Sequence, residues 1–429
     1  MEASADAAMP PLGPREGPGD QLTPSLAAAR LPMERESPFD PPEEYRRLRA
    51  EDPVSRLAFP GGSAGWLLSR YEDVRALLAD PRVSSQRSLS VNPIRELPPE
   101  AEELLRVEPG QFIGMDPPEH TRYRRLLTGQ FTVRRMNALV PRIEQIVADH
   151  LAAMAEMTPP VDLVQAFTLP VPSLVICELL GVPYADRDMF QRLSRALLSF
   201  DTDVQTLMQA RTEMRAYMLE LVRAKRLQTH DDLLGGLIQR ESPEGALTDE
   251  ELINIGNLLL IAGHETTANM LALGTLTLLR HPEQLDALRD NPALTDQAVE
   301  ELLRYLTIVQ FGLVRIALED LEIGGQWIGA GEPIVAALAS ANRDAAHFPD
   351  SDDLDVTRAY SPHLAFGHGV HQCLGQQLAR VEMQAGFRGL FERFPSLRLA
   401  IPVDQIRMRD DTFVYGVQEL PVTWDADRE

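Results

Sequence analysis

The stretch LTDEELINIGNLLLIAGHETTANMLALGTLTLLRHP, residues 247–282, constrains the chain more than any other. Thr248 followed by Glu251 forms a capping box, in which each side chain answers the other residue's backbone N–H. Pro282 marks the stop. Between them the pattern predicts a helix of about 33 residues, roughly 50 Å long at 1.5 Å per residue. It is apolar on nearly every side, so it should run through the centre of the protein. A membrane span is the rival reading. It fails because His264, Glu265 and Asn269 sit in mid-helix and no charge-free run reaches the ~18 residues a span requires.

Within that helix, Ala262-Gly263-His264-Glu265-Thr266-Thr267 is poor helix sequence. Gly costs about 1 kcal/mol relative to Ala in a helix interior. A mid-helix threonine bonds the carbonyl four residues back and bends the helix, which pairs Thr266 with Ala262. A buried carboxylate beside it is costly unless paired or solvated. A local conflict in an otherwise consistent helix points to a site, where a kink would make room for a small ligand beside a hydroxyl and an acid. The plain alternative is a helix that tolerates two threonines and a surface glutamate. His264-Glu265 also begins the zinc-protease pattern H-E-x-x-H, but position 268 is alanine and the second ligand is missing.

Around this helix the chain reads as mainly α with small sheets at both ends. Strands are expected at Val54 to Phe59, Trp66 to Ser69, Leu321 to Ile328 and Glu332 to Ala337, with short ones from Leu397 to Trp424. A helix follows at Tyr71 to Leu78. Residues 84–118 form a long proline-bearing loop, and long loops in compact domains are often functional. From Glu119 to Val309 the pattern is mostly helical, broken at Pro159-Pro160, Pro183 and Pro282. Residues 1–30, rich in Ala, Pro and Gly, lack the apolar core of a secretion signal and read as a disordered leader. Residues 31–429 read as one large domain. With 64 acidic against 41 basic residues and a net charge of −23, the chain is no free-standing nucleic-acid binder. Its only lysine is Lys225, and its two cysteines, Cys177 and Cys373, do not suggest a disulfide framework. A reduced, cytoplasmic setting follows.

Cys373 lies in HLAFGHGVHQCLG, residues 363–375, with three histidines and three glycines. Gly367, Gly369 and Gly375 allow tight turns and the close approach of a flat group. Leu374 to Arg393 reads as a helix, which puts Cys373 at its N-terminus, where the free N–H groups favour a thiolate. A thiolate binds metal. Zinc could use Cys373 with His371, His368 or His363, although no C-x-x-C is present. Haem iron could use Cys373 alone. Cys177, in LVICELLG, reads as core.

Phe366-Gly367-x-Gly369-x-His371-x-Cys373-x-Gly375 resembles the haem-ligand loop of the cytochrome P450 family. Three further matches stand in the same order: Ala262-Gly263-x-Glu265-Thr266-Thr267, Glu301-x-x-Arg304, and His120-x-x-x-Arg124 in EHTRYRRL. The likeness runs from about residue 35 to the end and is closest to soluble actinobacterial members. It implies a single haem-thiolate monooxygenase fold with haem b, Cys373 as axial thiolate and Phe366 packed beside the sulfur. It further implies His120, Arg124, Arg315 and His371 on the propionates, and a buried Glu301, Arg304 and Arg358 cluster under the loop. Glu265 would relay protons and Thr266 would hold the oxygen and its water, as the catalytic pair.

By the same resemblance the reaction uses O2 and two electrons. The chain has no flavin or iron–sulfur segment, which implies a separate ferredoxin and ferredoxin reductase. Arg122, Arg124, Arg125, Arg134 and Arg135 would form the docking patch. The segments 84–118, Leu197 to Met214, Leu259 to Ala262, Ile308 to Leu313 and Thr412 to Tyr415 should shape an apolar substrate pocket. TIVQFGLVR resembles the matching segment of macrolide hydroxylases. A macrolide or polyketide is therefore the expected substrate, with a steroid, terpenoid or xenobiotic as the alternative. A haem-thiolate binding protein without turnover is the remaining one.

Overall fold

The computed structural model describes residues 29–89, 91–96, 106–228, 231–240 and 245–425. The expected leader lies outside them save Ala29 and Arg30; Ala29 already pairs with Leu57.

The chain opens with α1 (Glu44–Glu51), a hairpin of β1 (Val54–Ala58) and β2 (Ala64–Leu68), α2 (Tyr71–Ala79) and β3 (Val83–Ser84). Then come α3 (Glu119–Thr128), α4 (Val133–Ala138), α5 (Val140–Ala155), β4 (Val161–Asp162), a π-turn at Val164–Thr168, α6 (Pro170–Leu180), α7 (Arg187–Leu198), α8 (Val204–Leu227) and α9 (Leu233–Ile238). The central helix α10 spans Asp249–Arg280, followed by α11 (Pro282–Asp290) and α12 (Thr295–Leu306). Strands β5 (Leu313–Ala317), β6 (Leu321–Ile323), β7 (Gln326–Ile328) and β8 (Pro333–Ala336) precede α13 (Leu338–Ala341) and α14 (Gln376–Arg393). The chain closes on β9 (Arg398–Leu399) and β10 (Pro421–Thr423).

The expected capping box is present: Glu251 N–H donates to Thr248 Oγ1 at 3.2 Å, and Thr248 N–H donates to Glu251 Oε2 at 2.7 Å. From there α10 runs helical without interruption to Arg280. Leu252, Ile255, Leu260, Leu273, Leu276 and Leu278 are sealed from solvent, which fits a helix apolar on all sides. Helices α6, α8 and α14 pack against it. The glycine that looked out of place permits one of these contacts: a Cβ on Gly263 would lie 2.7 Å from Ile176 of α6.

A five-stranded sheet in the order β1-β2-β8-β5-β3 joins the two ends of the chain. Trp66 to Leu68 pair in parallel with Ile334 to Ala336, and Leu313 pairs antiparallel with Ala336. Strand β5 was missed from sequence. LVRIA is only five residues long and lacks a clean polar–apolar alternation, although Gly312 at φ +71° turns the chain just before it. The tail forms a small sheet, β4-β10-β9.

The sole lysine is not on the surface. Lys225 of α8 is 4% exposed and pairs with Asp232. The same carboxylate caps α9 through Gly235 N–H at 2.8 Å.

Candidate active site

The cysteine loop is built by backbone geometry. Gly367 and Gly369 adopt positive φ, +68° and +72°. A side chain on Gly369 would also strike the Leu78 carbonyl of α2, 2.2 Å from a built Cβ, so glycine is required there. Cys373 N–H donates to Phe366 O at 2.9 Å, which folds the loop back on itself. The loop's entry is pinned by Asn342, whose Oδ1 accepts from Leu364 N–H at 2.7 Å and whose Nδ2 donates to Thr307 Oγ1 at 2.8 Å.

Helix α14 starts at Gln376, two residues later than expected, so Cys373 precedes the helix. The N–H groups of Gly375 and Gln376 and the charges of Arg124 and Arg380 do favour a thiolate, but burial outweighs them and the thiol pKa is raised. A bound metal takes such a sulfur as its thiolate, so the burial that raises the free thiol does not oppose the expected axial ligand. Protein surrounds the residue, yet it retains accessible surface, because that surface opens inward. Ala262, halfway along the central helix, is likewise accessible, and Thr266 one turn on is half-buried. Leu374, next to the thiol, packs in the same apolar cluster as Leu259 and Ile261. The fold thus leaves a hollow between the cysteine loop and the middle of α10.

Four cationic or potentially cationic side chains converge at one edge of the loop. His120 of α3 and His371 lie with ring centroids 4.2 Å apart. Among the described residues, both ring nitrogens of His120 and Nε2 of His371 are buried without a partner. Burial, then the neighbouring His120, Arg315 and Arg124 charges, drive His371 down to about 3. Burial brings Arg315 down to about 10, and its one hydrogen bond here is to the Val314 carbonyl at 2.9 Å. Arg124 donates to the Gln372 carbonyl. The nearby carboxylate, Asp116, is taken up by Ser84 Oγ at 2.5 Å and Ser85 N–H at 2.8 Å. Crowded donors whose nearby carboxylate is already engaged favour an added anion. A flat group with an iron for Cys373 and two carboxylates for this cluster, which is haem, fits the residues present. Zinc does not: among the described residues no three of His, Cys, Asp and Glu are placed to hold one metal ion.

Thr266 Oγ1 donates to the Ala262 carbonyl at 2.8 Å, as expected, and the helix stays continuous around it. Glu265 is 1% exposed and turned away from the hollow: its Oε2 accepts from Arg409 at 2.7 Å. Arg409, 144 residues away in the tail, has no local sequence signal.

Phe366 is half-buried, with the Arg380 guanidinium 4.7 Å over its ring. Arg380 also binds Glu300, from Nε at 2.6 Å and Nη2 at 3.0 Å, and His363 Nε2 lies 3.2 Å from the same carboxylate. Burial pushes Glu300 up, but these two partners prevail and bring it down to about 2. This group went unseen in the sequence. Behind it, Arg304 donates to Glu301 through two 2.7 Å bonds, and Arg358 Nε adds bonds at 3.1 Å. Cys177 is core, its thiol raised to about 12 by burial.

Three segments expected to shape the pocket meet. Ser199 bridges Thr412, Val309 bridges Val414, and Phe200 packs on Phe311 and Phe413 with centroids 5.1 and 4.4 Å apart. Arg95, from the part of the 84–118 loop that is described, donates to the Phe200 carbonyl. Part of the expected docking patch is spent elsewhere. Arg122 pairs with Glu251, Arg124 reaches Gln372 and Arg135 donates to Gln130, while Arg125, Arg134 and Arg135 keep exposed surface.

Comparison with known proteins agrees with this geometry. The family model described as Cytochrome P450 matches residues 188–424. The chain is 46% identical over 410 residues to Cytochrome P450-SU2 of Streptomyces griseolus, covering 96% of this chain and 99% of the relative. It is similar to a cytochrome P450 crystallised with filipin I (TM-score 0.87, 44% identity, 94% and 100% of the two chains). It is also similar to the mycinamicin VIII C21 methyl hydroxylase of Micromonospora griseorubida bound to mycinamicin VIII (TM-score 0.86, 41% identity, 92% and 100%).

Proposed function

The chain belongs to the cytochrome P450 family of haem-thiolate monooxygenases, and on that premise we propose that it oxidises a large, mainly apolar natural product of the macrolide or polyketide class. The observation that carries the site assignment is the inward-opening thiol of Cys373 beside a ring of uncompensated donors. Cys373 would ligate the iron, and His120, Arg124, Arg315 and His371 would hold the two carboxylates. Arg380, stacked over Phe366, would keep the loop's outer side fixed. Bound haem supplies the activation of O2 and the oxidation itself. Thr266 Oγ1 is the hydroxyl on the hollow, and Glu265 beside it would relay protons from solvent toward it.

Among the described residues no helix is long and apolar enough to cross a membrane, which suits a cytoplasmic enzyme fed by a separate ferredoxin and its reductase. Ferredoxin would meet the exposed Arg125, Arg134 and Arg135. Relatives that carry filipin I and mycinamicin VIII support the substrate class, as do the aromatic walls at Phe200, Phe311 and Phe413.

The absorption spectrum of the reduced protein under carbon monoxide tests the ligand. A strongly red-shifted Soret band is expected, and its absence would remove Cys373 from the iron. A panel of macrolides, steroids and terpenoids, read by spectral binding and product mass, tests the substrate. Tight binding of steroids with none of macrolides would overturn the preference.

A further inference from the structure

The catalytic helix has a second polar face, turned away from the hollow. His264 is completely buried. Its Nδ1 lies 2.7 Å from the Leu260 carbonyl. A carbonyl only accepts, so Nδ1 carries the proton and a neutral ring leaves Nε2 as an acceptor. Burial lowers the pKa of this ring, which keeps it neutral. The charged groups around it are Glu265, which opposes that shift, and Arg409 and Arg195, which reinforce it. Among the described residues Nε2 has no hydrogen-bond partner, and neither has Glu265 Oε1. These two atoms lie 3.8 Å apart.

Two acceptors facing each other without a donor are not a stable buried arrangement. A molecule that donates twice would satisfy both, and water is the smallest that does. Helix α7 packs beside this pair. Phe190 of α7 meets the His264 ring edge-on at 5.4 Å. Ser194, one helical turn further along the same face of α7, has a fully buried hydroxyl that also lacks a partner. Gln191 of the same helix binds Ser173 Oγ at 2.8 Å.

We propose that His264 Nε2 and Glu265 Oε1 together hold one buried water, and that His264 is thereby a positioning residue for the carboxylate. The inference deepens the monooxygenase reading and rests on it. Successive helix residues are about 100° apart around the axis, so Glu265 lies between His264 on the outer face and Thr266 on the hollow. Arg409 holds Oε2 and the water holds Oε1. The carboxylate is thus gripped at both oxygens and kept in one rotamer, with the water at Oε1 as the proton donor nearest to it on this face.

A crystal structure that resolves ordered water, paired with two variants, tests the proposal. The wild-type protein should show a water within hydrogen-bond distance of both atoms; an empty site or a direct contact overturns it. H264F keeps a ring of similar size without the acceptor. It should lose the water and yield at least three-fold less product per NADH, with more peroxide released and a larger solvent isotope effect on kcat, while substrate KM holds. H264Q, whose amide oxygen can replace Nε2, should restore both water and coupling. Unchanged coupling in H264F, or no recovery in H264Q, overturns the positioning role. The carbon monoxide band of each variant separates this outcome from failure of the monooxygenase reading, since the band depends on Cys373 and not on His264. If H264F does not fold, the wild-type water and the H264Q coupling decide alone.

Discussion

Two clusters of charged side chains flank the cysteine loop, and they are built on opposite principles. In the first, every charge is answered. Glu301 is bound by Arg304 and Arg358, and Arg304 spends its remaining donors on the carbonyls of Asn342, Ser351 and Asp353 at 2.9, 2.7 and 3.1 Å. In the second, His120, Arg124, Arg315 and His371 are crowded together with buried nitrogens left open. A saturated cluster has nothing left to offer a ligand, so it holds the fold. An unsaturated one costs the empty protein stability, and only a ligand recovers it. Satisfaction of hydrogen-bonding groups, more than the presence of charge, separates structural from functional ion clusters here.

The sharpest break of this contrast is Arg304→Ala. Removing one member of a buried cluster strands the other, and the loss should be about 3–5 kcal/mol by chemical denaturation of the haem-free protein. Arg315→Ala should do the reverse. Haem-free stability should hold or rise, while haem transfer to an acceptor protein should speed up by roughly 10- to 100-fold, the equivalent of a ~1.5–3 kcal/mol charged hydrogen bond. Equal destabilisation by both variants would erase the distinction.

Acid should part the equally satisfied Glu300, held by Arg380 and His363, from the His371 cluster next. Glu300 has a folded pKa of about 2 against an ordinary 4.5, so its stabilisation is complete above 4.5 and is lost as pH falls toward 2. His371 has a folded pKa of about 3 against 6.5, so the unfolded chain takes its proton first and stability declines from about 6.5 downward. Haem carboxylates beside His371 would raise its pKa and cancel that decline. Urea denaturation across this range should show the haem-free protein weakening from about 6.5 and the loaded protein only below about 4.5. A shared onset would refute the account. The smallest effect belongs to the surface. Arg134→Glu with Arg135→Glu should raise the KM for ferredoxin several-fold at low salt and little at high salt, since exposed charges steer association and are screened.

What the sequence disclosed and what it hid divide by distance along the chain. The central helix, its cap and the Thr266 bond to Ala262 involve partners three or four residues apart, so pattern alone reached them. The cysteine loop was legible for the same reason, although its helix begins later than the apolar pattern implied. The pairings of Glu265 with Arg409, Glu300 with Arg380, and Leu364 with Asn342 join residues 144, 80 and 22 positions apart. Nothing local marks them. His363 drew notice as a possible zinc ligand, and its actual partner is a carboxylate from α12. The pairing of Arg122 with Glu251 inside the arginine patch was hidden for the same reason: sequence shows which charges are near each other, not which are already taken.

The burial of Lys225 has a practical side. With its one lysine held by Asp232 inside the fold, the native protein should offer amine-directed reagents no lysine side chain. Dyes, biotin esters and resin couplings aimed at lysine would therefore pass this fold by. Brief labelling under native conditions, compared with labelling in urea, would show Lys225 modified only after unfolding, giving an optical report of when helices α8 and α9 separate.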